Sequence, residues 1–454
     1  MCETLRSVGL DIGTTTTQMI LSRLWVENKA GSFSVPKMEI TKREILFRSQ
    51  VVQTPLEGEL IDQAALKTLV QGWYDQAAIT PSQVDTGAVI ITGETSRKEN
   101  AALALEAISS FAGSFVAATA GPDLESRLAA KGSGAAQYSK EKGCRVLHMD
   151  IGGGTSNLAL LENGNIVATG CLNVGGRLLK LSQGKVTWRS EALSHLPAFT
   201  PGNSVTAEQL EDLAESLAQV LEMAAGLRDV DERFAHFLTR EVVSIWQVPS
   251  PGAVISFSGG VADCIEKKLP GETFGDLGPY LGQAIKKSDL CRGSYRLGQE
   301  TIRATVIGAG CHSATLSGST VFYRKIPLPV QNLQVLPLSR NATKEEMKAA
   351  LQQTEEGTGM LSFRDLFQGD YSALTALAEN ILWATGGQPV YVCLPGDLAK
   401  ALGQKMALSD PQRPILCIDR IDAAQGQYLD IGRPVGSALP VVIKTLVLEH
   451  GGTL

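Results

Sequence analysis

Two short stretches of the chain have residue types that could bind phosphate, and they share one pattern. Residues 8–17 read VGLDIGTTTT, and residues 147–156 read LHMDIGGGTS. In each stretch an apolar run ends in an aspartate, Asp11 or Asp150, and a turn of glycine or hydroxyl residues follows. Glycine lets backbone N–H groups approach an anion closely, and hydroxyl side chains add further donors. Both stretches are therefore predicted to be phosphate-binding loops.

The loop residues divide into two chemical roles. A carboxylate repels a phosphate, but it can hold a hydrated Mg²⁺ that bridges phosphate oxygens, because magnesium prefers oxygen ligands and keeps several waters. We therefore predict that Asp11 and Asp150 are catalytic and hold magnesium through its water molecules. The residues alone do not decide which carboxylate lies closer to the metal. The predicted phosphate contacts are Gly13, Thr14, Thr15, Thr16, Gly152, Gly153, Gly154 and Thr155.

A glycine pair later in the chain is the candidate adenosine contact. Residues 253–265 predict a buried strand that turns at Gly259 and Gly260 and then enters a helix. The absence of side chains on this pair leaves room for adenine or ribose to lie on the backbone. Residues 304–318 are rich in small side chains, which predicts a helix packed closely at a domain crossing. No GxxxxGK[ST] segment occurs, so a Walker loop is excluded.

Glu94 is the third candidate catalytic residue. Residues 88–92 predict a core strand, and Glu94 follows its carboxyl end, where ligands gather in open α/β sheets. There it could act as a general base that orients the attacking water. A structural alternative stays open, in which Glu94 and Arg97 only cap the following helix.

The elements that position these residues are strands on both sides of each loop. After the second loop, Asn163 and Gly164 predict a hairpin turn. At 454 residues the chain predicts two or three domains, and its 44 % hydrophobic and 19 % charged residues are typical of a globular protein. The net charge of −6 argues against a nucleic-acid partner. We expect no membrane span and a cytoplasmic protein, since no apolar run approaches the roughly 20 residues that a bilayer requires.

The order of these segments resembles the superfamily of actin, sugar-kinase and heat-shock-chaperone ATPases. The resemblance covers about residues 6–320. It implies an α/β, actin-like ATPase fold, in which two similar ribonuclease H-like halves enclose a cleft for ATP and Mg²⁺. We predict halves at residues 1–143 and 144–320. Residues 321–454 are predicted to form an additional C-terminal α/β domain that binds a partner.

Further stretches resemble one group within that superfamily, the ATP-dependent reactivating factor of ethanolamine ammonia-lyase. The similarity extends along the chain, and the stretches that carry it are 8–18, 91–101, 120–126, 428–432 and 440–447. The resemblance implies a Mg²⁺-dependent ATP hydrolase that remodels its partner enzyme during ethanolamine degradation. In that family the factor acts like a chaperone: it releases damaged cobalamin from the inactivated lyase, so that adenosylcobalamin can rebind. The chain has no Asp-x-His-x-x-Gly cobalamin motif, so we expect it to act on adenosylcobalamin through the lyase. The family resemblance also implies residence inside or on a bacterial microcompartment.

Two other functions stay open from the motifs alone. A small-molecule kinase acting on a sugar or a carboxylate would use the same nucleotide site, with Glu94 as a base for the acceptor hydroxyl. An actin-like scaffold would use ATP to control its own assembly. The oligomeric state also stays open, with a homo-oligomer among the options.

Overall fold

The molecule is described here from a computed structural model. The structure describes residues 2–13, 16–30, 37–57, 60–91, 108, 117–119, 122–239, 252–271, 273–312, 314–318, 320–354, 357–364, 371–421, 423 and 427–445. Most of the described chain belongs to three sheets and the helices packed on them.

The first sheet is formed by the N-terminal residues, and its strands lie in the order β3-β2-β1-β7-β8, with β4 paired to β2. The β1–β2 and β2–β3 pairs are antiparallel, whereas β1–β7 and β7–β8 are parallel. Strands β5 and β6 make a separate ribbon. The elements are β1 (Cys2–Ile12), β2 (Thr16–Asn28), β3 (Met38–Arg48), β4 (Val52–Gln53), β5 (Leu56–Glu57), β6 (Leu60–Ile61), α1 (Gln63–Gln76), β7 (Thr86–Ile91), β8 (Ala117–Thr119), α2 (Pro122–Gly132) and α3 (Ala135–Lys142).

The second sheet repeats this topology, with the order β11-β10-β9-β14-β15. Again the first three strands are antiparallel, and the last two run parallel to the central strand β9. The prediction of two similar α/β halves is therefore confirmed. The elements are β9 (Arg145–Ile151), β10 (Ser156–Glu162), β11 (Asn165–Leu172), β12 (Leu179–Ser182), β13 (Lys185–Arg189), α4 (Ala207–Ala224), α5 (Glu232–Phe237), β14 (Val254–Ser258), α6 (Ala262–Glu266), α7 (Gly278–Lys287), β15 (Tyr295–Leu297) and α8 (Ala304–His312).

Helices α2 and α8 cross between the halves and pack against each other. Helix α2 contacts strands of the second sheet, and α8 contacts β1, β2 and β7 of the first. A Cβ atom on Gly132 would lie 1.9 Å from the Ala304 carbonyl oxygen, and one on Gly308 would lie 2.2 Å from that of Leu128. Only glycine permits this backbone approach, so the predicted close-packed crossing helix is confirmed.

The remaining residues form an eight-stranded sheet, in the order β16-β23-β22-β18-β19-β20-β21-β17, with helices packed on it. The predicted additional α/β unit is therefore confirmed. The predicted boundaries at 143/144 and 320/321 stay a prediction. The elements are β16 (Ala314–Leu316), β17 (Phe322–Arg324), β18 (Val330–Leu338), α9 (Lys344–Leu351), β19 (Met360–Phe363), α10 (Tyr371–Ala384), β20 (Val390–Leu394), α11 (Ala399–Ser409), β21 (Ile415–Asp419), β22 (Gln427–Ile431) and β23 (Pro440–Thr445).

Local sequence signals explain where several elements begin. Helix α4 begins after Thr206, whose hydroxyl accepts from the Gln209 N–H at 3.2 Å, while the Gln209 side chain accepts from the Thr206 N–H. This reciprocal pair satisfies two N–H groups that the helix leaves without partners. The predicted hairpin between β10 and β11 turns at Asn163 and Gly164, both with positive φ. Within the described ranges, no helix is long and apolar enough to cross a bilayer.

Candidate nucleotide site

The two aspartate loops share one backbone hydrogen bond. The Gly13 N–H donates to the Thr16 carbonyl at 2.9 Å, and the Gly152 N–H donates to the Thr155 carbonyl at 2.9 Å. Strand pairing continues the likeness. Asp11 on β1 lies opposite a glutamine on β2, and Asp150 on β9 lies opposite an asparagine on β10. Each loop therefore leaves a carboxylate at the end of one strand and a carboxamide beside it on the next.

Both loops open into one cleft of about 360 Å³ between the halves. The cleft brings together every predicted site residue that the structure describes. Thr14, Thr15 and Glu94 lie outside the described residues, so their roles stay predictions. The predicted residues that line the cleft are Asp11, Gly13, Thr16, Asp150, Gly152, Gly153, Gly154, Thr155, Gly259 and Gly260.

Asp150 is held by hydroxyl groups from two elements. The Ser258 hydroxyl at the end of β14 donates to Oδ1, and the Thr305 hydroxyl on α8 donates to Oδ2 at 3.1 Å. Burial raises the pKa of Asp150, and these two donors act against that rise because they favour the ionised form. Behind Ser258, the imidazole Nε2 of His148 lies 2.9 Å from the hydroxyl oxygen. Burial, with a smaller effect from Arg296, lowers the pKa of His148 to about 3, so the imidazole is neutral.

Two buried amide oxygens make the cleft suitable for a hydrated metal ion. The Gln18 side chain donates to the Ile302 carbonyl at 2.9 Å, and the Asn157 side chain donates to Glu125 Oε2 at 2.7 Å. Gln18 Oε1 and Asn157 Oδ1 are buried without a hydrogen-bond partner in the described part of the chain. Buried acceptors of this kind need a donor. Together with the two loop aspartates, these oxygens fit the water shell that Mg²⁺ retains.

The glycine pair shows two different uses of a missing side chain. Gly259 has a φ of +85°, and a Cβ atom there would lie 2.3 Å from the Ile151 carbonyl oxygen. Gly260 has nothing within 4 Å of the position a Cβ would take, so space stays open beside its backbone. Phe274 lines the same cleft and is 52 % exposed. An exposed aromatic ring beside an open backbone suits the flat face of a nucleobase.

The segment after β11 supports the second loop. The Gly176 N–H donates to the Gly152 carbonyl at 2.9 Å, and the Arg177 N–H donates to the Gly153 carbonyl at 2.6 Å. The Arg177 guanidinium also pairs with Asp276 at 3.2 Å, and both side chains line the cleft. Burial raises the pKa of Asp276, whereas the Gly278 N–H and Arg177 oppose the rise. This segment therefore fixes the loop and adds a charged pair beside the glycine turn.

Sequence reasoning missed several cleft residues. Gln18 and Asn157 each stand seven residues after a loop aspartate, so extending the repeat by one strand would have found them. Glu125 lies in the stretch 120–126 but had no motif of its own. Other missed lining residues include Arg177, Phe274, Asp276 and Thr305.

Comparison with known proteins assigns the family. The model of the ethanolamine utilisation protein EutA family matches residues 3–449. The chain belongs to this family. It is 38 % identical to the ethanolamine ammonia-lyase reactivase EutA of Salmonella typhimurium strain LT2, a match that covers 97 % of this chain and 98 % of that protein. Identity to the protein of the same name from Escherichia coli strain K12 is 37 %, with the same coverage. The predicted family resemblance is therefore confirmed.

Solved structures with a related chain path are more distant. A Ppx/GppA family protein from Aquifex aeolicus matches with a TM-score of 0.40 and 12 % identity, over 67 % of this chain and 97 % of that one. The ethanolamine utilisation protein EutJ from Carboxydothermus hydrogenoformans matches with a TM-score of 0.33 and 14 % identity, over 67 % of this chain and 89 % of that one. Likeness of this degree says nothing about activity.

Proposed function

We propose that this protein is an ATP-dependent reactivating factor of ethanolamine ammonia-lyase, acting in ethanolamine degradation. The observation that carries the proposal is the pair of aspartate loops facing one cleft, in a chain whose relatives are named reactivases of that lyase. In this role the protein hydrolyses ATP to remodel the inactivated lyase, which releases damaged cobalamin and lets adenosylcobalamin rebind. Adenosylcobalamin is then a cofactor of the partner and is handled only indirectly.

The cleft suggests how a nucleotide would bind. The glycine N–H groups and hydroxyls of both loops would hold the phosphates, while the base would lie over Gly260 beside Phe274. Asp11 and Asp150, with the amide oxygens of Gln18 and Asn157, would accept from magnesium-bound water. When bound, Mg²⁺ would neutralise phosphate charge and fix the geometry of the phosphate oxygens.

Glu125 is our candidate for the residue that orients the attacking water. It is 6 % exposed, lies on the crossing helix α2 and lines the cleft. The hydrogen bond from Asn157 orients its carboxylate, and Asn157 itself follows the second phosphate loop. A carboxylate in this position can accept a proton from water as a general base. Glu94 keeps the same candidate role from the sequence, and the two glutamates are separable by substitution.

We also propose that residues 321–454 carry the contact with the lyase, apart from the ATPase halves at 1–143 and 144–320. Every described residue that lines the cleft lies between positions 11 and 305, which leaves the C-terminal unit available for another task. It also contacts the first half, since β23 lies against β8 and the Gly436 N–H donates to Glu3 at 2.9 Å. A movement of the first half at the cleft could therefore be transmitted to this unit through these contacts. The proposal includes residence in the cytoplasm, inside or on a bacterial microcompartment, and it leaves the oligomeric state open.

The test of the proposal is a hydrolysis assay with product analysis. Phosphate release from Mg·ATP is measured for the protein alone and with lyase that holds damaged cobalamin. We expect free phosphate, stimulated by the inactivated lyase, and at least a roughly 100-fold loss in the Asp11→Asn and Asp150→Asn variants. A phosphorylated metabolite would indicate a kinase, and nucleotide-dependent sedimentation a scaffold. Normal hydrolysis by both variants would exclude the proposed site.

A further inference from the structure

A second cavity, of about 440 Å³, lies where the first half, both crossing helices and the C-terminal sheet meet. Among the described residues, none lines both this cavity and the nucleotide cleft. Its volume is within the range of small-molecule sites. The lining residues are Lys37, Met38, Glu39, Ile40, Arg43, Lys131, His312, Ala314, Thr315, Leu316, Ser317, Gly318 and Arg420.

Among the described residues that line this cavity, basic side chains outnumber the carboxylates that pair with them. Glu39, the one carboxylate among the described residues that line the cavity, is paired with Lys37 at 2.6 Å. Arg420 is paired with Asp397, which lies outside the cavity. Arg43 and Lys131 form no ion pair with any residue in the described ranges. Two positive charges therefore share a concave wall without a counterion from the described chain.

The unpaired basic groups lie close enough to affect one another. The Lys131 side chain is exposed, and its pKa is lowered by partial desolvation and further by the Arg127 and Arg43 guanidinium groups. Burial lowers the pKa of His312 to about 3, with added effects from Arg43 and Lys131. Like charges in a concave wall repel, and a bound anion would attract each of them and so offset this repulsion.

The donors in the cavity match a phosphate group. The Arg43 Nε donates to the Cys311 carbonyl at 2.9 Å, and its terminal nitrogens form no hydrogen bond with the described residues. An arginine fork beside a lysine ammonium is a common arrangement for phosphate oxygens. The negative ends of the α2 and α8 dipoles account for a cation in the last helical turns, such as Lys131. They do not account for the free guanidinium nitrogens of Arg43, which is on β3.

We propose that this cavity is a second anion site, which binds a small molecule through its phosphate group. A ligand there would contact β3, the ends of both crossing helices and the segment 314–318 that enters the C-terminal sheet. It would therefore connect the first sheet, the C-terminal sheet and the ends of both crossing helices. The proposal does not depend on the activity proposed above, because the two cavities are built from different residues.

Pyrophosphate is the probe, titrated calorimetrically into the full-length protein in the presence of saturating ADP. ADP occupies the nucleotide cleft, so the remaining binding reports the second cavity. We expect binding to weaken at least roughly 10-fold in the Arg43→Gln/Lys131→Gln variant, because two charge-assisted contacts are lost. The affinity of this variant for ADP should equal that of the wild type, and this comparison keeps the outcome separate from the nucleotide site.

The matched control is Lys140→Gln/Lys142→Gln, which removes two positive charges from the neighbouring helix α3, outside the cavity. This control should bind pyrophosphate like the wild type. Three results would overturn the proposal: unchanged binding by the cavity variant, equal weakening by the control, or complete loss of pyrophosphate binding when ADP is present. Circular dichroism of each variant shows whether the fold is retained.

Discussion

At the scale of single residues, the role that we propose for Asp150 in the cleft conflicts with its contribution to stability. Its folded pKa is raised above the ordinary value of 3.8. The folded state therefore holds its proton to higher pH than the unfolded state does. Stability is lost as pH rises from about 3.8 through the folded pKa, and the ionised carboxylate costs stability at neutral pH. The hydroxyls of Ser258 and Thr305 limit this cost while keeping the charge available for the nucleotide site.

Asp150→Asn is therefore expected to abolish Mg²⁺-dependent hydrolysis while leaving the thermal midpoint at pH 7.5 equal to or above the wild-type value. Each kcal/mol of relief corresponds to a rise of about 2–4 °C. Differential scanning fluorimetry checks the stability and phosphate release checks the activity. The control is Asp410→Asn, because Arg413 lowers the pKa of Asp410 and its loss should not stabilise the fold. A midpoint for Asp150→Asn well below that of the wild type would contradict this reading.

Glu125→Gln tests the residue proposed to orient water. The amide keeps the shape of the side chain but cannot accept a proton, so we expect kcat to fall roughly 10²–10⁴-fold with little change in ATP affinity. Steady-state phosphate release and nucleotide titration measure the two quantities. Glu141→Gln on α3 is the matched control and should behave as the wild type, because that carboxylate is exposed and paired with Gln137. If Glu94→Gln alone stops turnover, Glu125 has no such role.

At the scale of elements, the contact between the crossing helices depends on glycine. Gly308→Ala would place a methyl group against the Leu128 carbonyl oxygen, and the two helices would have to separate. We expect a loss of roughly 1–3 kcal/mol in the free energy of unfolding, with reduced hydrolysis. Denaturant unfolding measures the first. Gly72→Ala in α1 is the control, since nothing lies within 4 Å of its added Cβ, and it should be neutral or stabilising. Equal stability of the two variants would show that the crossing tolerates a side chain.

Local patterns predicted the elements that carry the site. The sequence predicted three of these features, because each depends on residues close together in the chain. They are the repeated aspartate loops, the Asn163-Gly164 turn and the Gly259-Gly260 turn. The features of the fold that the sequence did not predict depend on tertiary packing. Nothing local shows that α2 lies on the second sheet and α8 on the first. The pairing of Ala314 with Val442 joins residues far apart in sequence.

Some cleft residues were not predicted from the sequence, and each omission has a physical reason. A carboxamide such as Gln18 is marked only by a repeat that extends into the strand after each loop, beyond the phosphate-binding residues themselves. Phe274 looks like a core residue until the structure leaves it half exposed in the cleft. Glu125 was hidden in a helix with other charged residues, and only the approach of Asn157 singles it out. The candidate roles of these residues depend on neighbours that only the tertiary structure brings next to them.

At the scale of the whole molecule, three sheets meet around two cavities. The nucleotide cleft lies between the first two sheets, and the basic cavity lies where the crossing helices end against the third. The C-terminal sheet contacts the first half through β23 and through Glu3. A change in the angle between the halves would therefore shift the C-terminal unit, in which we propose the contact with the lyase.

The most direct test of this account is recovery of lyase activity. Ethanolamine ammonia-lyase inactivated with a damaged cobalamin is incubated with the protein, Mg·ATP and free adenosylcobalamin, and both released cobalamin and restored ammonia formation are measured. We predict release and recovery with wild-type protein and ATP, and neither with ADP or with the Asp11→Asn variant. Recovery by Asp11→Asn at the wild-type rate, or ATP hydrolysis without any release of cobalamin, would contradict the account.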